Sequence, residues 1–449
     1  MALRFYNTLT RNLEEFRPIN PHAALIYTCG PTVYARAHIG NLRSFVFADT
    51  LRRALENSDY KVRQVMNITD VDDKTIKRSR EEGVSLKTLA QKYEELFVKD
   101  ISKLNIKIPK EMPRATEHIK EMVAIIEKLL SKGSAYKGDD GIYFSIGASE
   151  GYGALAGISR EEGEERARVK NDEYDKDNPK DFALWKFHSE EDDGVSWDAP
   201  FGRGRPGWHI ECSAMSMKYL GERFDIHTGG SDLIFPHHTN EIAQSESATG
   251  HPFVNVWMHH NHILIDGEKM SKSLGNTYTL DDLETRGVSP IAYRYLLLTA
   301  HYRTLLNFTW EALSGAENAF EKLKLFFSEF PEGGETDIAY KAKFESFIND
   351  DLDTPKALAL SWELLKDHEV LPENKRATLL YFDKIFGFNL ESIKKEEIPQ
   401  EVINLSKKRE EARENKNFNQ ADSLRKEIEA LGFTVEDGEN GPVIRKTVL

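Results

Sequence analysis

The chain has 449 residues, with 60 Lys and Arg against 74 Asp and Glu, a formal net charge of -14 and only two cysteines. That length exceeds what one hydrophobic core usually supports, so a large α/β body with appended modules is expected. The acidic balance excludes a general basic coat for nucleic acid while leaving room for local phosphate-binding patches, and two thiols imply no disulfide scaffold and favour a reducing compartment. The opening Met-Ala-Leu-Arg-Phe-Tyr lacks the apolar core of a signal peptide, and no later run is long and apolar enough to span a bilayer. A soluble cytoplasmic protein with no membrane partner is the expectation.

Ala24 to Tyr27 reads as a short buried strand, ended by Gly30-Pro31 before an amphipathic helix from about Asn41 to Leu55. Lys61 to Ile68, with the β-branched Val62, Val65 and Ile68, reads as a second strand that delivers Thr69 to Asp73 at its edge. A charged helical pattern runs from Asp73 to about Leu104, and Pro109 and Pro113 break it. A helix from Glu117 to Leu130 and a hairpin from Gly133 to Ile146 follow. Between Glu150 and Asp193 the sequence is charged and Gly-rich without periodicity, as in a surface insertion or binding lobe. Gly204 to Gly207 brings the chain back to a helix carrying Met215 and Leu220, then a buried strand, Phe224 to His227, with a tight turn expected over Thr228 to Asp232. Val254 to Met258 and Ile263 to Ile265 are further strands. After about Pro290 the pattern is helical: Ile291 to Leu298, Trp310 to Phe327, Tyr340 to Phe347, Pro355 to Leu365, Arg376 to Phe386 and Leu405 to Arg413. A last helix, Ala421 to Leu431, and a small β element from Gly432 close the chain.

Chemistry concentrates where the first strand hands over to its helix, at Cys29, His38, Gly40 and Asn41. Helix N-terminal amides at such corners suit phosphate. Taken alone, His38 reads as a capping or core residue as readily as a functional one. Cys29 and Cys212 are the only thiols, and His237-His238-Thr239-Asn240-Glu241 sets His237 and Glu241 at i and i+4 on one helical face. Two thiolates, an imidazole and a carboxylate can form a tetrahedral zinc site, with His238 the rival to His237. Two buried cysteines beside a helix-capping His pair is the alternative. Far downstream lies Glu268-Lys269-Met270-Ser271-Lys272-Ser273-Leu274-Gly275-Asn276, which read by itself is an exposed basic turn.

His38-Ile39-Gly40-Asn41 and Lys269-Met270-Ser271-Lys272-Ser273 together resemble the paired signatures of class I aminoacyl-tRNA synthetases. The words around them, Cys29-Gly30-Pro31-Thr32-Val33-Tyr34, Asn67-Ile68-Thr69-Asp70-Val71-Asp72-Asp73-Lys74 and Gly207-Trp208-His209-Ile210-Glu211-Cys212-Ser213-Ala214-Met215, resemble the cysteinyl-tRNA synthetase family specifically. The resemblance runs from near the first residue to the last. It implies a Rossmann-like parallel-sheet catalytic domain in two halves, 1–114 and 206–289, around a connective insertion at 115–205. A helical bundle at 290–400 and a small anticodon-binding region at 401–449 complete the implied order.

The resemblance further implies a cysteine:tRNA ligase that uses ATP with Mg2+, L-cysteine and tRNA(Cys), and that acts as a monomer. It places one Zn2+ on Cys29, Cys212, His237 and Glu241. His38, Gly40 and Asn41 then meet the ATP phosphates from one side, and Lys269 and Lys272 from the other, on a loop flanked by Gly267 and Gly275. Asn41 stands where the general signature has a second histidine, so it can donate a hydrogen bond without adding charge. Gly229, Gly230 and Asp232 suit the adenosine, while Thr69 and Trp208 suit the cysteine, a Trp more often being core. His259, His260 and His262 resemble the adenine-side strand rather than a metal site. Arg413, Arg425 and Asp437 fall at anticodon-reading positions, with ordinary ion pairs to Glu410, Glu414 and Glu429 as the alternative. Ile444 replaces a tryptophan frequent in the family. Two other functions compete. A zinc-dependent cysteine ligase acting on a small amine would resemble a truncated synthetase, unlike this tail. A non-catalytic RNA-binding relative would not need His38, Lys269, Lys272 and the four metal ligands.

Overall fold

The computed structural model describes residues 2–163, 181–271, 274–393, 399–438 and 441–446. A small antiparallel ribbon, β1 (Arg4–Asn7) and β2 (Asn12–Glu15), precedes the first strand of the central sheet, β3 (Ala23–Thr28). β3 leads through the Cys29 corner into α1 (Ile39–Asn57), then β4 (Lys61–Met66), α2 (Asp73–Glu82) and α3 (Leu86–Lys103). The 73–104 segment, expected as one helical run, is two helices. Asp72 caps α2 through the Thr75 N–H, Gly83 closes it in the left-handed conformation at φ 65°, and Ser85 caps α3. That φ favours a residue without a β-carbon, which is why the break falls at Gly83.

The insertion contributes α4 (Ile119–Ser131) and a four-stranded antiparallel sheet of β5 (Ala135–Lys137), β6 (Gly141–Phe144), β7 (Phe182–Phe187) and β8 (Gly204–Pro206). β7 lies in the stretch where no periodicity was legible. Its first four residues are all buried, so it has no polar face to alternate with. Then come α5 (Trp208–Leu220), β9 (Phe224–Gly230), α6 (Thr239–Thr249), β10 (Val254–His260), β11 (Ile263–Ile265) and β12 (Glu268–Lys269). α7 (Leu280–Thr285) and α8 (Pro290–Leu298) follow, then β13 (Leu306–Phe308) and the helices α9 (Trp310–Glu329), α10 (Ile338–Ile348), α11 (Thr354–Lys366) and α12 (Pro372–Phe386). α13 (Gln400–Glu414), α14 (Phe418–Ala430) and the hairpin β14 (Phe433–Gly438) and β15 (Gly441–Lys446) close the chain.

The central sheet is parallel, in the order β10-β9-β3-β4. Chain order therefore reverses between β3 and β9, the topological switch point at whose carboxyl edge such sheets bind ligands. Alternate residues on its strands face two cores. Ile26, Met66, Ile226 and Met258 pack on one side, and Tyr27, Val65 and Trp257 on the other. The first core continues without a break into the helices after Pro290, through Tyr295, Leu296, Leu364, Phe382 and Phe386. Each such side chain fully buried contributes about 1.5–3 kcal/mol. The second core joins α4, α5 and the insertion sheet. Val402, Ile428, Phe433 and Val435 form a separate small core in the tail.

Candidate active site and metal centre

Cys29 follows β3, and the backbone there is held close against β4. A β-carbon on Gly30 would lie 1.6 Å from the Asn67 carbonyl oxygen, so only glycine fits beside this thiol. Asn67 also accepts from the Gly30 N–H at 2.9 Å and lies 3.8 Å from Cys212 Sγ. Cys212 stands on α5, 3.9 Å from Cys29 Sγ. His237 does not lie in the regular helix expected for it. It sits in a π-type turn, Ile234–His238, that runs into α6, yet its Nε2 still reaches 3.0 Å from Glu241 Oε1. Cys29, Cys212, His237 and Glu241 thus converge, with their ligand atoms all within 4.8 Å of one another. A second set, Cys29, His227, His238 and Glu241, shares two members with the first.

The buried donors fit a metal ion. Glu241 Oε1 is fully buried yet has no aligned hydrogen-bond donor, although an imidazole nitrogen lies beside it, as expected where two lone pairs aim at a common point. The set containing both thiols is the better match to a zinc-type, soft donor site. Histidines of β9, α5 and β10 stand behind the cluster: His227 Nε2 meets Glu241 Oε2 at 3.0 Å, His209 Nδ1 meets His237 Nδ1 at 2.9 Å, and His259 Nε2 meets His238 Nδ1 at 2.7 Å. Sequence reading missed His209 and His227 in this role. The signal for His209 was its place one helical turn before Cys212. Burial holds His209, His238 and His259 well below the ordinary imidazole value, so they are neutral. Burial opposes the charge on Glu241, but His227 and His237 outweigh it and hold the carboxyl down to about 2. The Cys29 contact brings Cys212 down to about 6, while burial pushes Cys29 up.

Beside the cluster opens a cavity of about 260 Å³ lined by Thr32, Asp72, Trp208, Asp232 and Phe235, with Lys186 and Arg205 of the insertion forming the far wall. Trp208 is not core. It is 38% exposed and stacks on the His237 ring at 4.2 Å between centroids. Asp73 ties the insertion to α2 by accepting from Lys186 at 2.7 Å and from Arg205. Thr69 is buried and is not among the residues that line the cavity; its hydroxyl accepts from Asn67 Nδ2 at 3.0 Å. Gly229 and Gly230 are not in a turn. They end β9, paired with His259 and His260, and the chain turns only afterwards. A β-carbon on Gly229 would sit 2.5 Å from the His238 ring, so the space these glycines free is used by the protein's own side chains.

His38 caps α1 in a reciprocal box: its Nδ1 accepts from the Asn41 N–H at 3.1 Å, and Asn41 Oδ1 accepts from the His38 N–H at 3.2 Å. The capping role and the signature role therefore coexist in one residue. An accepting Nδ1 puts the ring proton on Nε2. Gly40 faces the downstream loop, since a β-carbon there would lie 3.5 Å from Met270 Cε. Lys269 is exposed on β12. Lys272 lies outside the described residues. In the tail, Arg413 is exposed near the end of α13, and Arg425 on α14 pairs with Glu429 at 3.1 Å, as the ion-pair alternative expected. Asp437 stands opposite Pro442 in the β14–β15 hairpin, and its side chain lies outside the described residues, as does that of Ile444. His260 meets Ser44 and His262 meets Ser231, so neither joins the metal cluster. No helix among the described residues is long and apolar enough to cross a membrane.

Residues 15–318 match the family described as tRNA synthetases class I (C) catalytic domain, and residues 395–445 match the cysteinyl-tRNA ligase anticodon binding domain. The chain is 45% identical to a cysteine--tRNA ligase of Brachyspira hyodysenteriae, over 97% of this chain and 98% of that relative. It is 44% identical to one of Chlamydia muridarum, over 99% and 100%. Among solved structures, a Mycobacterium tuberculosis methionyl-tRNA synthetase in complex with methionyl-adenylate superposes with a TM-score of 0.57 at 16% identity, covering 81% of this chain and 89% of that one, a likeness of fold. The catalytic-domain match alone covers more than half of the chain and the relatives align over nearly all of it, and it belongs to the class I cysteinyl-tRNA synthetase family.

Proposed function

We infer that the chain activates L-cysteine with ATP to cysteinyl-adenylate and transfers the cysteinyl group to the 3' end of tRNA(Cys). Cysteine--tRNA ligase activity follows from family membership. The observation that carries the mechanism is the buried convergence of two thiols, an imidazole and a carboxylate at the switch point, beside a cavity of amino-acid size. Cys29, Cys212, His237 and Glu241 would hold Zn2+, which lowers the pKa of a substrate thiol and binds the thiolate while an alcohol stays protonated. Shape alone would separate cysteine from serine by only about 1–3 kcal/mol. Trp208, stacked on His237, forms the cavity wall against which the small side chain lies.

Activation needs no enzyme nucleophile. The cysteine carboxylate oxygen attacks the α-phosphorus, the α–β phosphoanhydride bond breaks, and pyrophosphate leaves with Mg2+. The protein's work is to position these groups and to stabilise charge on the phosphate oxygens. His38 Nε2, the Asn41 side chain and the N-terminal turn of α1 face that charge from one side, and Lys269 and Lys272 from the other. Asp232, exposed beside the end of β9, takes the adenosine end. In the second step the terminal ribose hydroxyl of the tRNA attacks the cysteinyl carbonyl and AMP leaves. We place the chain in the cytoplasm as a monomer, where its two free thiols stay reduced.

Pyrophosphate exchange and charging of transcribed tRNA(Cys) test this directly. Exchange should require cysteine, and charging should follow. Serine supporting exchange as well as cysteine would overturn selection by thiolate ligation, and exchange without charging would overturn the transfer step.

A further inference from the structure

The loop carrying Lys269 and Lys272 is held at its downstream end by contacts that bind it to the signature turn. His38 bridges Thr279 in antiparallel fashion, and the Ile39 N–H donates to the Tyr278 carbonyl at 2.8 Å. These contacts set the start of α7 beside Arg36, two residues before His38. The Arg36 guanidinium forks. Its Nε and Nη2 donate to the two Asp100 oxygens of α3 at 2.9 and 2.6 Å, while Nη2 also donates to Asp281 Oδ1 of α7 at 2.7 Å and Nη1 pairs with Asp281 Oδ2. Lys103, also on α3, reaches Asp281 at 3.4 Å and pairs with Glu284.

The two legs of this fork differ. The Asp100 side chain is fully buried, whereas that of Asp281 keeps 50% of its exposure. Hydrogen bonds from Arg36 hold the Asp281 carboxyl down to about 2, so the exposed leg is charged throughout the working range. Upstream, the loop is anchored by pairing of β12 with β11, which in turn pairs with β13. Gly267, in the turn between β11 and β12, and Gly275, between β12 and Tyr278, take φ values of 84° and 65°, which other residues adopt at a cost.

We propose that Arg36 is a positioning residue for adenylate formation: through Asp281 it sets the downstream anchor of the loop against the signature turn, so that both sets of phosphate-binding groups meet one ATP. This rests on the phosphate role assigned to those groups above. The metal ligands hang from the end of β3, α5, the turn before α6 and α6 itself, whereas Asp281 pairs with Arg36 and Lys103, so ATP-side and cysteine-side properties should separate.

The test is Asp281→Asn, which keeps the shape but removes the charge. Cysteine-dependent pyrophosphate exchange should lose about 10-fold in kcat, as expected for a misplacement well under 1 Å. KM for ATP should rise, with KM for cysteine, metal content and melting temperature unchanged. Asp281→Glu should recover most of the rate. Raising ionic strength should narrow the gap between wild type and Asp281→Asn, because the exposed leg is screened. Amide hydrogen exchange over 274–279 should quicken in Asp281→Asn whether or not turnover is measured. Unchanged amide protection, or unchanged kcat and KM for ATP, would overturn the proposal, as would an equal loss in KM for cysteine and in melting temperature. Wild-type protein with no cysteine-dependent exchange would instead overturn the functional reading and leave the clasp to be judged on amide protection.

Discussion

At the scale of single residues, the cluster at the sheet edge is a set of ligands held in orientation by others. His227 is fully buried and meets the Glu241 oxygen turned away from His237, so it fixes the direction in which Oε1 points. Replacing such an outer partner typically costs 10–100-fold in metal affinity. His227→Gln should accordingly bind Zn2+ about 10–100-fold more weakly in a chelator competition, and Cys212→Ser, which loses a ligand outright, should be weaker still. Wild-type retention in His227→Gln would mean that α6 alone orients Glu241. Lys272 belongs to the same scale. If it meets charge that develops only as the phosphoanhydride bond breaks, Lys272→Ala should slow exchange by orders of magnitude while equilibrium binding of cysteine barely changes. Equal losses in both would make it a ground-state contact.

Among elements, the most consequential joint is between α1, which begins at the signature, and α8 of the helical region. Arg294 on α8 is wholly buried. It donates to Asp49 of α1 at 2.5 Å and to the carbonyls of Phe386 and Leu104 at 2.5 and 2.9 Å, and Arg53 adds a second bond to Asp49 at 2.7 Å. Burial alone would raise the Asp49 carboxyl, but Arg294 and Arg53 outweigh it and hold it below its ordinary value. Removing one partner of such a pair strands a buried charge, at a cost of about 3–5 kcal/mol. Asp49→Asn should lower unfolding free energy by that amount in denaturant titration at neutral pH. Because the folded value is depressed, the stabilisation is complete above the unfolded carboxylate pKa of about 3.9 and is lost as pH falls through the lower folded value. The gap between wild type and Asp49→Asn should thus hold from neutral pH to about 4 and narrow only below it. A gap that closes nearer neutrality would point to another group.

For the whole molecule, the catalytic sheet and the helices after Pro290 share one core, while the tail has its own small one. A module with a separate core can lose function without disturbing the first chemical step. Arg425 is half exposed and pairs with Glu429 one turn along its own helix, a pair worth about 0–1 kcal/mol, so its removal should not unfold α14. Arg425→Ala should weaken charging of tRNA and leave cysteine-dependent exchange intact, and Ile444→Trp should be tolerated. Normal charging by Arg425→Ala, or equal damage to both reactions, would remove the anticodon role from this tail.

What the sequence determined by itself was the chemistry and the local order. The donor types at Cys29, Cys212, His237 and Glu241, the two signatures, and most strands and helices are properties of residue type and short-range spacing, so they survive without knowledge of partners. Where local signals were weak they failed: β7 is buried too fully to alternate, a left-handed Gly83 splits one helical pattern into two helices, and Gly229 and Gly230 extend a strand rather than turn it. Only the tertiary structure decided that Cys29 and Cys212, 183 residues apart, meet, that His227 and His209 stand behind the ligands, and that Arg36 grips a helix 245 residues downstream. Those meetings depend on the order and register of parallel strands joined by long crossovers. Side-chain periodicity within one strand records which residues are buried, but not which strand lies beside it.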